Sequence, residues 1–405
     1  MCDCGQAISC WKPPLHEAVM CVLSGVVKGE QQPLDIPSTD PNKFIVAFCG
    51  SGTGHLIQAL SVVKMMQKQG MTLVGVVADT DANERMMRDM VAPLGVEVLT
   101  IPAIKLVDAE KGMVLPPFVL RNTLRAKTQL LEQKETITSF LQRSGAGMMV
   151  SFWHITFAFF LMLHPLPPTV KVLHIAAQFA HTSLDVIQLP SPIEVVTKAT
   201  MEVMAGIFAR SGQCITISSR EMPDALPPIL EMPKLVETMT PRLILCYFLV
   251  QADAIALEKL LAKHGSGGAV FHCFTSKQLP EVKGRPLALN SHPKQRALFQ
   301  ELFGKCTGVI VSTGNETIWE AVCRGVPVLT IPTAEHGEQL LNSAVHAINF
   351  PNLVRARKKL YLEDVRWVTE FELKEEAVSE SLHLRRRVTH LAEQGSPLFA
   401  PLTPA

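Results

Sequence analysis

The strongest constraint on this chain is a repeating unit. A short run that is apolar at every position meets a turn rich in glycine or small polar residues, and a stretch with apolar residues at helical spacing follows. Residues 44–48 (Phe-Ile-Val-Ala-Phe) form the first run. Gly50-Ser51-Gly52-Thr53-Gly54 breaks it, after which Leu56, Leu60, Val63 and Met66 keep a helical period. A run without polar alternation suits a strand buried on both faces, which occurs where helices cover both sides of a parallel sheet. The unit recurs with strands over 73–77, 96–101, 148–152, 170–175 and 214–217, and helices over 83–94 and 119–143. It restarts with strands over 243–248, 269–274, 308–312 and 328–331, and helices over 252–264, 294–303, 317–324 and 338–348. Alternation of this kind implies parallel sheets with helical crossovers.

Between the two series the chain carries Pro223, Pro227, Pro228, Pro233 and Pro241, a proline-rich stretch that reads as a linker. At about 100–200 residues per domain, 405 residues give two domains. The expected fold class is therefore α/β, with two Rossmann-like domains facing each other across a cleft. The expected boundaries are 43–235 for the first domain, 241–373 for the second and 374–395 for a charged closing helix. Residues 1–42 and 396–405 are expected to be tails; the first is punctuated by proline and polar residues without a sustained period.

Composition excludes several classes of function. With 38 Lys plus Arg against 37 Asp plus Glu, the formal charge is +1. No basic excess exists to release the counterions of a nucleic acid. The ten cysteines form no short, dense secreted framework, which reads as a reducing compartment. Cys2, Cys4 and Cys10 match no zinc template. The longest apolar stretch, 148–163, falls short of the ~20 residues of a membrane span and reads as a buried strand running into a core helix. The apolar residues 18–27 lie behind Pro13, Pro14 and Glu17, not directly behind a charged region, so no signal peptide is expected. A cytoplasmic location follows.

Two turns carry the chemistry. Glycines at Gly50, Gly52 and Gly54, with Ser51 and Thr53 between them, free backbone N–H groups where a helix begins, and the positive end of that helix favours an approaching anion. His55 opens the helix, and a histidine facing the crevice suits proton abstraction from a hydroxyl. The dinucleotide fingerprint wants glycine where His55 stands, which disfavours a nicotinamide cofactor; Asp79 is placed either as a ribose-binding acid or as a helix cap. In the second half, Ser312-Thr313-Gly314-Asn315-Glu316-Thr317-Ile318-Trp319-Glu320 is a strand end, a glycine turn and a helix start. Gly325-Val326-Pro327 follows, then Pro332 and Glu338-Gln339-Leu340-Leu341-Asn342. Such a helix end can hold a diphosphate, and a carboxylate one turn inside, Glu320, can accept hydrogen bonds from vicinal ribose hydroxyls.

This pattern, Gly-x-x-Thr-x-x-Glu-Ala followed by Gly-x-Pro, Pro and Glu-Gln-x-x-Asn-x-Ala, resembles the donor-binding domain of MurG-like, family 28 glycosyltransferases. It is similar, more loosely, to the signature of UDP-glycosyltransferases. The Gly-Thr-Gly-His turn resembles the same family's first glycine loop. The resemblance implies a GT-B architecture with the acceptor against the first domain and a nucleotide-sugar donor, a UDP-sugar, against the second. Transfer would go to a lipid, glycan or small-molecule hydroxyl, with inversion and without metal or resident cofactor. On that reading Glu320 binds the ribose and Gln339, beside Glu338, the donor sugar. Gly314, Asn315 and Thr317 line the diphosphate, and His55 is the base.

The sequence departs from the family where Cys246-Tyr247-Phe248-Leu249 replaces a glycine-serine loop. It departs again where Ser312 and Glu316 stand in place of histidine and asparagine of the plant-type enzymes, and where Ser151-Phe152-Trp153-His154 carries no acid. A nucleotide-sugar 2-epimerase and a catalytically silent, nucleotide-sugar-binding subunit are the alternatives. Trp153, His154 and His181 are either acceptor-side residues or core. The basic residues Arg355, Arg357, Lys358, Lys359 and Arg385-Arg386-Arg387 either form a solvated face or touch an anionic bilayer as a peripheral membrane contact.

Overall fold

The computed structural model describes residues 33–36, 38–50, 54–80, 82, 84–104, 116–182, 192–230, 241–280, 286–334 and 336–401. In the first half, β1 (Asp40–Phe48), β2 (Thr72–Asp79), β3 (Glu97–Ile101), β4 (Ala146–Phe152), β5 (Lys171–Ala176) and β6 (Gln213–Thr216) form a parallel sheet in the order β3-β2-β1-β4-β5-β6. In the second half, β7 (Leu243–Tyr247), β8 (Val270–Thr275), β9 (Leu289–Pro293), β10 (Gly308–Val311), β11 (Val328–Thr330) and β12 (Val354–Ala356) pair in the order β12-β11-β10-β7-β8-β9. Counted from its own first strand, each sheet has the same doubly wound order. The order reverses between β1 and β4 and between β7 and β10, and ligands collect beyond the strand ends at such switch points.

The helices are α1 (Gly54–Lys68), α2 (Pro116–Glu132), α3 (Lys134–Ser144), α4 (Ile155–Leu163), α5 (Pro192–Ser211), α6 (Gln251–His264), α7 (Arg296–Lys305), α8 (Asn315–Cys323), α9 (Gly337–Asn349), α10 (Leu362–Thr369) and α11 (Glu375–Gln394). They cover both faces of the strands. Phe44, Val46 and Phe48 join one core with α1, while Ile45 and Ala47 join the other with α3 and α4. Every residue of α4 from Ile155 to Met162 is buried, including Phe157, Phe159 and Phe160, so a helix apolar all round sits inside the protein. At about 1.5–3 kcal/mol per fully buried large apolar side chain, this helix is a major contributor to the first half.

Several boundaries differ from the sequence reading. The chain joins the fold ahead of residue 43: β1 starts at Asp40, Leu34 and Ile36 are core residues, and the Leu34 N–H donates to Pro165 O at 2.8 Å. The helix over 119–143 is two helices that meet at Gln133, and 83–94 is not one regular helix. It is a turn of α-helix (Glu84–Met86), a π-helical turn (Met87–Val91) and a 3-10 turn (Ala92–Leu94) containing Pro93, which lacks the N–H that a continuing helix needs. Within the proline stretch, Leu226 bridges to Ile217, and Ile229 and Leu230 are buried in the core; residues 231–240 lie outside the described residues.

The closing helix does not simply finish the second half. Leu384, Val388 and Leu391 of α11 share a core with Met65 and Met66 of α1 and with Ile229 and Leu230. Beyond α11, Phe399 is fully buried and Lys171 Nζ donates to Leu398 O at 2.8 Å, so residues 396–400 pack back on the first half and are no tail.

Candidate functional site

The first switch point is built on β1. The Gly50 N–H donates to Asp79 Oδ1 at 3.0 Å, and a Cβ at Gly50 would collide with the Ala82 backbone and the Asp79 carboxylate. Asp79, buried at the end of β2, therefore holds the glycine turn instead of presenting a carboxylate to a ribose. Ser51, Gly52 and Thr53 lie outside the described residues. Gly54 opens α1, and the half-buried His55 follows, its Nδ1 in the interior with no hydrogen-bond partner.

Behind this turn the polar groups are buried. His154 caps α4, its Nδ1 accepting from the Phe157 N–H at 3.4 Å; burial lowers its pKa to about 4, against the pull of Asp79. His174, 2.9 Å from Ser211 Oγ, is lowered by burial to about 3. Trp153 adopts a left-handed backbone (φ 49°) at the strand-to-helix turn and stacks on Phe208, with Phe179 at its edge. Trp153 and His154 are thus core residues, 4% and 1% exposed, and do not line an acceptor surface. The side chain of His181 lies outside the described residues.

The second switch point is built on β10. Ser312 Oγ accepts from the Leu249 N–H at 3.1 Å, which ties the turn after β7 to the turn after β10. Gly314, exposed, precedes α8, and Asn315 begins it with its side chain turned inward: Oδ1 lies 2.8 Å from His346 Nε2, and Trp319 packs edge-on against that ring. Thr317 is half-buried in the first turn. Glu320 lies one turn further along α8, where its charge acts on Arg324 and Cys323. On α9, Gln339 is buried and its Oε1 accepts from the Thr333 N–H at 2.7 Å. The acceptor atom expected to face a sugar is thus occupied in bracing the loop after β11.

The two halves meet through carboxylates of the second. Gln58 Nε2 on α1 donates to Glu316 Oε1 at 2.7 Å, and Gln178 Nε2 donates to Glu338 Oε1 at 2.9 Å. The Glu316 carboxylate lies so close to Gly54 that a Cβ there would be 2.7 Å from its Cδ and Oε2. Burial pushes the Glu316 carboxyl above the usual range and Glu338 adds to this, while His55 opposes it. Gly337 has the same role toward Thr197 of α5, whose side chain fills the space of a Cβ. His55 and the first turn of α8 are therefore brought together across the cleft. The sequence reading missed Gln58 and Gln178, although a glutamine that interrupts the buried stripe of α1, only 1% exposed, was a signal.

Four of the basic residues have partners within the fold, while Lys358, Lys359 and Arg386 are exposed. Arg355 Nη1 lies 3.2 Å and Arg357 Nε 3.0 Å from the fully buried Asp364, and the Arg355 guanidinium covers Trp367. Arg385 and Arg387 donate to the carbonyls of Cys323 and Ser219. Among the described residues no helix is long and apolar enough to cross a membrane. Among the same residues no three His, Cys, Asp or Glu side chains converge as metal ligands. A cavity of about 540 Å³ lined by Arg355, Trp367, Phe371 and Lys374 lies beside the edge strand β12, away from both switch points.

No protein-family model and no curated protein sequence matches this chain. Solved structures do. UGT89C1 of Arabidopsis thaliana, in complex with quercetin, aligns with a TM-score of 0.59 at 13% identity over 88% of this chain and 96% of that one. The glycosyltransferase SnogD of Streptomyces nogalater aligns with a TM-score of 0.54 at 14% identity over 90% of this chain and 99% of that one. MurG of Acinetobacter baumannii aligns with a TM-score of 0.50 at 14% identity, covering 87% and 99%. At such identities the shared property is architecture, and the architecture of this chain is GT-B, two Rossmann-like domains set face to face as in these glycosyltransferases.

Proposed function

We propose that this chain is a glycosyltransferase that moves a sugar from a UDP-sugar to the hydroxyl of a lipid, glycan or small-molecule acceptor. It inverts the anomeric centre and uses neither metal nor resident cofactor. The observation that carries the reading is the opposition of two helix starts at the two switch points. Gly54 and His55 at the start of α1 lie beside Glu316 in the first turn of α8, the helix opened by the glycine turn whose sequence resembles a donor motif. UGT89C1 complexes with UDP, UDP-L-rhamnose and quercetin supply the donor and acceptor classes by analogy. In this reading the diphosphate lies at the N-terminus of α8, where free N–H groups and the helix dipole offset its charge, and Glu320 takes the ribose hydroxyls. His55 removes the acceptor proton, with Nε2 as the working nitrogen because Nδ1 is interior. The acceptor oxygen bonds to the anomeric carbon, and the carbon–oxygen bond to the diphosphate breaks with its electron pair leaving on UDP.

A binding subunit without turnover is the second reading. It is favoured by the turn after β7, which presents Leu249 and Val250 in place of a glycine loop and holds Ser312 Oγ.

Thermal midpoints with UDP, UDP-sugars, GDP, ADP and NAD, for the native chain and Glu320→Ala, test the donor site. A ligand present at 100 times its Kd adds about 2.7 kcal/mol. A shift with UDP that Glu320→Ala loses is expected, whereas a shift with NAD alone overturns the transferase reading. With an acceptor in hand, His55→Ala should lose transfer and keep the UDP shift; undiminished turnover removes His55 from the mechanism.

A further inference from the structure

Glu316 belongs to the first turn of α8, yet its side chain leaves that helix and crosses to the other half. There it accepts from Gln58 at 2.7 Å and lies flat on Gly54, with His55 alongside; Gly54 permits this seat because it has no Cβ. A carboxylate at the first turn of α1 occupies the place that the helix dipole offers to any anion. Burial and the nearby Glu338 disfavour its charge there, so the seat is not a comfortable one. A diphosphate docked at the start of α8 would share that volume and meet its charge. Glu338 on Gln178 repeats the arrangement from the first turn of α9, so Glu316 and Glu338 are directed into the other half, while Glu320 stays beside Cys323 and Arg324 in its own.

We propose that Glu316 is an internal competitor of the donor diphosphate: it latches α8 to α1 while the site is empty and must leave Gln58 and Gly54 when the donor docks. The proposal rests on the donor reading above. It makes Glu316 a residue that sets affinity for the charge of the ligand and not for its base.

Calorimetric titration with UDP, inorganic pyrophosphate and uridine compares the full-length native chain with Glu316→Gln and Glu316→Asp. Glu316→Gln keeps the shape and the Gln58 hydrogen bond while removing the charge. It should bind UDP and pyrophosphate about tenfold more tightly, a change of ~1.4 kcal/mol, with uridine unchanged. Glu316→Asp keeps the charge and should bind UDP no more tightly than the native chain. UDP affinity that is equal or weaker in Glu316→Gln, or uridine affinity that rises equally, overturns the competitor role while leaving the donor site intact. Absence of UDP and pyrophosphate binding in native and variant chains alike overturns the donor reading, and the competitor role with it. Binding by Glu316→Gln alone supports both.

Discussion

Mild acidification should strip stability from the first half through two buried histidines. An unfolded histidine titrates near 6.5. In the fold, burial lowers His154 to about 4 and His174 to about 3, because a charged ring there has lost its water. Below pH 6.5 the unfolded chain therefore binds more protons than the folded one. Each residue's contribution is complete above 6.5 and is lost as pH falls, until His154 itself protonates near 4 and His174 near 3. At pH 5 the loss is about 2 kcal/mol apiece, or about 4 kcal/mol together. That is a large part of the 5–15 kcal/mol by which domains are usually stable. Urea midpoints between pH 7.5 and 5, for the native chain and His154→Gln/His174→Gln, measure the effect. His272 and His292, also lowered by burial, are present in both proteins and cancel. The double variant should be less stable at pH 7.5 but flatter with pH, its slope smaller by close to two protons. A double variant with the native slope would show that these rings are not kept neutral, and the reasoning fails.

Other substitutions test packing around the site. Asp364→Asn leaves Arg355 and Arg357 without their buried carboxylate and should cost about 2–3 kcal/mol, discounted for the partial exposure of both arginines. Glu97→Gln, which breaks a half-exposed pair with Arg143, should stay within about 0.5 kcal/mol by the same urea assay. Arg324→Met removes a buried guanidinium that donates to the Phe303, Gly304 and Cys306 carbonyls at the end of α7, with an expected loss of about 2–4 kcal/mol in thermal unfolding. Val388→Asp puts a charge into the core shared by α11 and α1 and should cost more than about 4 kcal/mol, seen as loss of the folded midpoint.

The fold was legible because the run 44–48 is apolar at every position and 148–152 at every position but Ser151, which leaves little choice but a covered parallel strand. Elements with mixed composition escaped. β9 (Leu-Asn-Ser-His-Pro) and the three-residue β12 are edge strands whose sequences carry no buried run, and α5 mixes Thr, Lys and Glu among its apolar residues. The return of α11 to the first half was invisible for another reason. Its apolar stripe, Leu384, Val388 and Leu391, says that a face is buried but not against which partner. The site divides the same way. Glycine turns at helix starts announce themselves locally, whereas Gln58 with Glu316 and Gln178 with Glu338 join residues far apart in the chain, and no periodicity links them.

The polar side chains of the second-half motif invite a different division of labour from the one their sequence suggests. Ser312 holds the Leu249 N–H, Asn315 faces His346, and Gln339 holds the Thr333 N–H. Each fixes a turn or helix start within its own half. A backbone held this way keeps its N–H groups at the start of α8 aimed in one direction, so an anion arriving there meets donors that need no reorganisation. Side chains that buttress the loop are then as necessary to binding as side chains that touch the ligand. The carboxylates do the opposite: Glu316 and Glu338 leave their half and accept from the amides of Gln58 and Gln178, so they tie the two halves together. The glycines complete the logic. At Gly54 and Gly337 a single Cβ would separate the halves, so closeness of approach is written into the sequence as the absence of a side chain.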